Sequence, residues 1–151
     1  MEKDYSKIAG ENFKTGYNCA QSVLLAFADE LPLDKETLLA ISSSFGGGMG
    51  RLREVCGAVS AMFIIAGLLK GYIEPCNDEI KCAHYELIQN LAKEFKNSHN
   101  TIICRELLGL ENEAEEGFLP MPSKRTDEYY AKRPCEEFIK TAAKIIAEKL
   151  L

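Results

Sequence analysis

Apolar positions recur at helical spacing along almost the whole chain, and no stretch alternates for long enough to predict a sheet. Lys3–Lys14 reads as a first helix, with Tyr5, Ile8 and Ala9 on one face and Gly16 as its stop. Asn18, followed three residues later by Gln21, is a capping-box pattern. It predicts a second helix to about Glu30, with Val23, Leu24 and Phe27 facing inward, ended by Pro32. Asp34 caps a third helix through about Ser44, whose core face is Leu38, Leu39 and Ile41. A glycine run from Gly46 then breaks the pattern.

The next helix, at about 54–70, is apolar almost all round, the mark of a helix surrounded by others. Gly57, Ser60, Ala61 and Gly67 predict close backbone packing along it. After a turn at Tyr72–Asn77, with Asn77 as cap, an amphipathic helix is expected over about Asp78–Asn97. Its inner positions are Ile80, Ala83, Leu87, Leu91 and Phe95. Thr101 is placed to cap a short helix, Ile102–Leu108, which Gly109 closes. Leu110–Arg133 keeps no period and reads as a long surface loop with one helical turn near Asp127–Ala131; loops this long are more often functional than idle. Pro134 suits the first position of a last helix carrying Phe138, Ile139, Ala142, Ile145, Ile146 and Leu150. The expected fold is all-α: one domain over residues 1–151, a bundle of six or seven helices around the central apolar helix.

Charge narrows the function classes. At 151 residues and net charge −5 the chain has no basic footprint for nucleic acid or an anionic membrane. Its longest apolar run, Val55–Leu69, is shorter than the roughly 20 residues of a membrane span. The polar first dozen residues lack the apolar core of a signal peptide, so a cytoplasmic location is expected. Six cysteines in such a compartment point to metal or redox chemistry over disulfides. No Cys-x-x-Cys pair occurs, which excludes thioredoxin-type, zinc-ribbon, c-type haem and ferredoxin-type motifs. Folding must therefore gather any cysteine site from distant segments.

On the helix map, Cys19, Cys56, Cys104 and Cys135 each fall in the opening turn of a different helix. Helix starts offer unpaired N–H donors and partial positive charge, which favour thiolate and lower a cysteine pKa. Four such starts aimed at one point would stabilise metal-bound thiolates or an iron–sulfur cluster. Asn18, Gly46, Gly47, Gly48 and Gly57 are the candidate supporting residues. Cys76, Cys82 and His84 are weaker candidates, better read as local side chains than as a metal site. Buried cysteine also serves as plain packing, so filler stands beside each functional reading. His99, in a polar turn, is expected in solvent. The glycine run lacks a following Gly-Lys-Ser/Thr and is no phosphate loop.

The order Gly16-Tyr17-Asn18-Cys19-Ala20, Phe45-Gly46-Gly47-Gly48-Met49-Gly50, Cys56-Gly57-Ala58, Cys104 and Cys135 resembles the C_GCAxxG_C_C family of redox-active proteins. Around Cys56 the chain reads Val-Cys-Gly-Ala-Val-Ser-Ala where the family name has Gly-Cys-Ala-x-x-Gly. The resemblance implies a redox role, with a metal or iron–sulfur cluster at the cysteines. Three readings follow. The leading one is a thiolate-ligated centre on Cys19, Cys56, Cys104 and Cys135, either iron–sulfur or zinc. The second is metal-free dithiol/disulfide cycling, and the third a non-catalytic helical binding module with structural cysteines. The redox partner is unidentified, and a homo-oligomer is left open.

Overall fold

The computed structural model describes residues 2–110 and 118–151, with the backbone alone for Ala131 and Lys132. The helices are α1 (Tyr5–Lys14), α2 (Cys19–Ala26), α3 (Lys35–Ser42), α4 (Gly57–Lys70), α5 (Asp78–His99), α6 (Cys104–Leu107), α7 (Asp127–Lys132) and α8 (Cys135–Leu150). The fold is all-α. The seven expected helices are present, and the single turn expected near Asp127 is the six-residue α7.

Local chemistry sets most helix starts. Asp4 accepts from the Lys7 amide to open α1, and Asp34 from Thr37 to open α3. Asn18 and Gln21 form the full capping box at α2. Asn77 and Thr126 cap α5 and α7. Thr101 is not the cap of α6: that helix begins at Cys104 after Ile103, and the Thr101 hydroxyl instead accepts from the Ile103 amide and donates to Glu106. Pro134 stands just before α8 rather than inside it.

The central helix α4 packs against α2, α5 and α8, and α1 lies across α2 and α8. Phe13, Leu24, Phe27, Leu38, Met62, Ile65, Phe95, Ile139 and Ile146 are fully buried where these helices meet. Gly57 is tightly enclosed, since a Cβ there would lie 2.8 Å from the Phe45 carbonyl oxygen. Gly67 is not: a Cβ there would meet open space. Ile41 and Ile80 are both 40 % exposed, and of the inner positions expected on α5 only Leu91 and Phe95 are buried. Helical periodicity marks which residues share a face, but a face becomes core only where another element covers it. His99 is half-buried rather than free in solvent. Its Nε2 pairs with Thr141 Oγ1 at 2.8 Å, and its ring packs on Phe95 and Phe138.

The central helix also starts later than expected, at Gly57 rather than near Glu54. Residues before it are extended: Val55 pairs with Ile103 in an isolated antiparallel bridge. The Cys56 amide donates to the Ile102 carbonyl at 2.8 Å and the Cys104 amide to the Glu54 carbonyl at 2.6 Å. Upstream, Gly47, Gly48, Met49, Gly50, Arg51 and Arg53 all have φ between +60° and +69°. This left-handed coil folds the chain back on itself, with the Glu54 amide reaching the Gly48 carbonyl. Of the expected surface loop, 111–117 lies outside the described residues, and Leu110 is buried at 3 % exposure. Among the described residues no helix is long and apolar enough to cross a membrane.

Candidate four-cysteine site

Cys19, Cys104 and Cys135 are the first residues of α2, α6 and α8, and Cys56 is the residue immediately before α4. All four line one cavity of about 240 Å³. Each is placed by a different device. The capping box holds Cys19, the Val55–Ile103 bridge sets Cys56 beside Cys104, and α8 brings in Cys135 from the far end of the chain. Asn18, Gly46, Gly47, Gly48 and Gly57 line the same cavity. Asn18 also donates from Nδ2 to the Ser43 carbonyl at 3.1 Å, tying α2 to the glycine coil. At Gly48 an added Cβ would stand 2.5 Å from the Cys104 Cβ, so only glycine lets the coil approach that cysteine.

Cys76, Cys82 and His84 lie elsewhere. The two cysteines are exposed, and the His84 ring packs edge-on against Tyr72. Among the described residues no three His, Cys, Asp or Glu side chains are placed to hold a metal ion. The four cysteines share one cavity but, as placed, form no such group.

Burial and charge divide the thiols. Helix-start placement alone leads one to expect four acidic cysteines, but desolvation prevails at two of them. The Cys56 thiol is pushed up to about 12 by burial, against which the amides of Ala58 and Val59 pull only in part. Burial also raises Cys104, opposed by Arg53, whose Nη1 donates to Sγ at 3.6 Å. Cys19 and Cys135 are side-chain partners. Cys19 is raised well above its ordinary value, first because it donates to Cys135, then by burial and the neighbouring sulfurs. Cys135 is lowered by that same contact and by the charges of Arg133, Arg53 and Arg125, in spite of burial. Within the pair, the contact favours the proton on Cys19 and negative charge on Cys135.

The arginines are what a reading by residue spacing misses. The chain has five, and Arg51, Arg53, Arg125 and Arg133 line the cavity. Arg51 donates to the Leu119 carbonyl and to Ser123 Oγ, and Arg125 to the carbonyls of Phe13 and Tyr17 while lying over the Phe13 ring. These contacts tie the segment 118–126 to the cavity, which Pro122, Ser123 and Arg125 help to line. Arg133 lies over Tyr129 at 5.6 Å, and Tyr129 is raised by burial and by the charges of Cys135 and Cys19. A signal was present in the sequence: Arg51, Arg53, Arg105 and Arg133 all lie within five residues of a cysteine of the site.

No curated protein and no solved structure matches the chain. One family model does, described as putative redox-active protein (C_GCAxxG_C_C), and it covers residues 17–149, from just before Cys19 to beyond Cys135. The chain belongs to the C_GCAxxG_C_C family.

Proposed function

We propose that this is a redox protein working through the four-cysteine cavity, with Cys135 as the reactive thiolate and Cys19 as its partner in a dithiol/disulfide couple. The contact between the Cys19 and Cys135 side chains carries the reading. A thiolate is the attacking species in thiol–disulfide exchange, and arginines around Cys135 hold it in that form. Exchange then needs a second sulfur within reach, which Cys19 supplies. A reducing cytoplasm would keep these cysteines as thiols between turnovers. A dithiol reductant small enough to reach the buried Cys135 is the natural partner for resetting the couple.

The test is oxidation of the fully reduced protein with a limiting small disulfide, followed by peptide mass mapping. The expected product links the Cys19 and Cys135 peptides. Replacing either residue by Ser is expected to abolish that product and leave the helical fold intact. Failure of Cys19 and Cys135 to become linked, or a Cys135→Ser protein as redox-competent as the parent, defeats the proposal in favour of structural cysteines.

One observation favours a second reading. Cys56 and Cys104 line the same cavity of about 240 Å³ as the Cys19–Cys135 pair, without a role in the couple. That arrangement suits a polynuclear iron–sulfur cluster better than a single ion, and electron transfer is the chemistry such a cluster would supply. Anaerobic purification with an absorption spectrum and iron, sulfide and zinc analysis tests it. A colourless, metal-free protein that still forms the Cys19–Cys135 disulfide removes the cluster.

A further inference from the structure

Access to the four-cysteine cavity is narrow. Cys56, Cys104 and Cys135 are only 4–7 % exposed, and the space they line is about 240 Å³. Most of its walls are fixed. Phe13, Asn18, Cys19, Gly57 and Phe138 stand on or beside helices of the core. Gly46, Gly47 and Gly48 belong to the left-handed coil, where their carbonyls accept from the amides of Gly50, Arg53 and Glu54.

Pro122, Ser123 and Arg125 form a wall of another kind. They lie in the strap 118–126, where Pro120 and Pro122 remove two amide donors. Among the described residues its one backbone–backbone hydrogen bond runs from the Thr126 amide to the Lys124 carbonyl, 3.1 Å. None of its residues joins the buried core, and Phe118, Leu119 and Met121 are exposed. A segment with few buried apolar contacts and few backbone bonds opens at low cost. Side chains hold it instead. Arg51 donates to the Leu119 carbonyl and to Ser123 Oγ. Arg125 is the tie to the helical core. Its Nη1 and Nη2 donate to the carbonyls of Phe13 and Tyr17, and its guanidinium lies 4.2 Å from the centre of the Phe13 ring. Phe13 is in the last turn of α1, where carbonyls leave the helical ladder and a cation is favoured.

We infer that the strap 118–126 is a gate on the cavity, latched by Arg125, and that this latch sets the size of reagent able to reach Cys135. With the latch made, only small molecules enter. When Arg125 leaves the two carbonyls, the strap moves out without disturbing the core, and wider thiol reagents are admitted. For the dithiol chemistry this makes Arg125 a positioning residue that selects the disulfide by width. That consequence rests on the function proposed above. The gate itself does not, because alkylation of Cys135 needs no partner sulfur.

The test uses two neutral maleimides with the same reactive group, N-ethylmaleimide and the wider pyrenylmaleimide, on the whole reduced protein. Labelling is read at Cys135 by peptide mass mapping, with the exposed Cys82 as reference in the same molecule. In the parent, pyrenylmaleimide is expected to lag N-ethylmaleimide at Cys135 by at least ~10-fold relative to Cys82, and Arg125→Ala to close most of that gap. Arg125→Lys keeps the charge but loses the fork that reaches both carbonyls, and is expected to behave like Arg125→Ala. An electrostatic effect on the thiol alone would change both reagents alike and leave their ratio at the parent value. That unchanged ratio, in variants shown by circular dichroism to be folded, overturns the gate. If the variants unfold, the parent decides. Below its urea transition, labelling of Cys135 by pyrenylmaleimide through a local opening rises only weakly with urea; a slope as steep as that of global unfolding overturns the gate. Absence of a Cys19–Cys135 disulfide with the size effect intact overturns the dithiol reading and upholds the gate.

Discussion

Replacing Gly48 by alanine tests whether the glycine coil exists to let the backbone approach Cys104. Two costs can be separated. Gly48 has φ +69°, where a residue with a Cβ is strained by about 1–2 kcal/mol. The new Cβ would also stand 2.5 Å from the Cys104 Cβ and 2.9 Å from both the Arg53 Cα and the Glu54 nitrogen. Two of those atoms are backbone held in the left-handed coil, so the overlap is relieved only by moving the chain, typically about 1–3 kcal/mol. The total is about 2–5 kcal/mol, a large part of the roughly 5–15 kcal/mol of an ordinary domain. Gly109 is the control: its φ is +67°, but nothing lies within 4 Å of its Cβ position, so alanine there carries the strain alone. In urea unfolding, with a slope of about 2 kcal/mol per M, Gly48→Ala should lower the midpoint by about 1–2.5 M, and Gly109→Ala by about 0.5–1 M. Iodoacetamide labelling should also show Cys104 more reactive in the Gly48 variant. Equal losses at the two positions, with Cys104 labelling unchanged, would refute the close-approach reasoning and leave only a positive-φ requirement.

Three further outcomes are expected. Asn18→Ala removes the capping box and the tie to Ser43, costing about 1–2 kcal/mol, whereas Asn18→Gly costs a few tenths through the cap itself; thermal unfolding reads each kcal/mol as about 2–4 °C at this size. Gly67→Ala, in an open helical position, should raise stability by roughly 0.5–1 kcal/mol in the same assay. Stability should fall on the alkaline side, because Cys56 has a folded pKa of about 12, above its unfolded value of about 9. Its contribution is complete below pH 9 and is lost towards pH 12, at up to about 1.4 kcal/mol per pH unit. Unfolding midpoints measured from pH 8 to 10.5 should therefore decline less steeply in Cys56→Ala than in the parent, and identical slopes would contradict the burial of a neutral thiol there.

Much of this molecule is local in origin. Periodic apolar positions and the caps Asn18, Asp34 and Asn77 act over three or four residues, so the sequence by itself determined the helices, the capping box and the placement of four cysteines at or beside helix starts. Where helices end was less legible. The start of α4 moved to Gly57 because its upstream residues are engaged by Ile102 and Ile103, a partner nearly fifty residues away. Ile41 and Ile80 have the spacing of core residues and remain partly in solvent, since periodicity specifies a face and not its cover.

Only the tertiary structure decided that the four cysteines line one cavity and that they differ chemically. Their acidity is a balance of desolvation, neighbouring charge and one thiol–thiol contact, and each of those depends on atoms brought together from separate segments. It likewise set Cys19 against Cys135, which raises the first thiol and lowers the second, and set four of the five arginines along the same cavity. A residue's neighbours along the chain fix its helix; its neighbours in space fix its protonation.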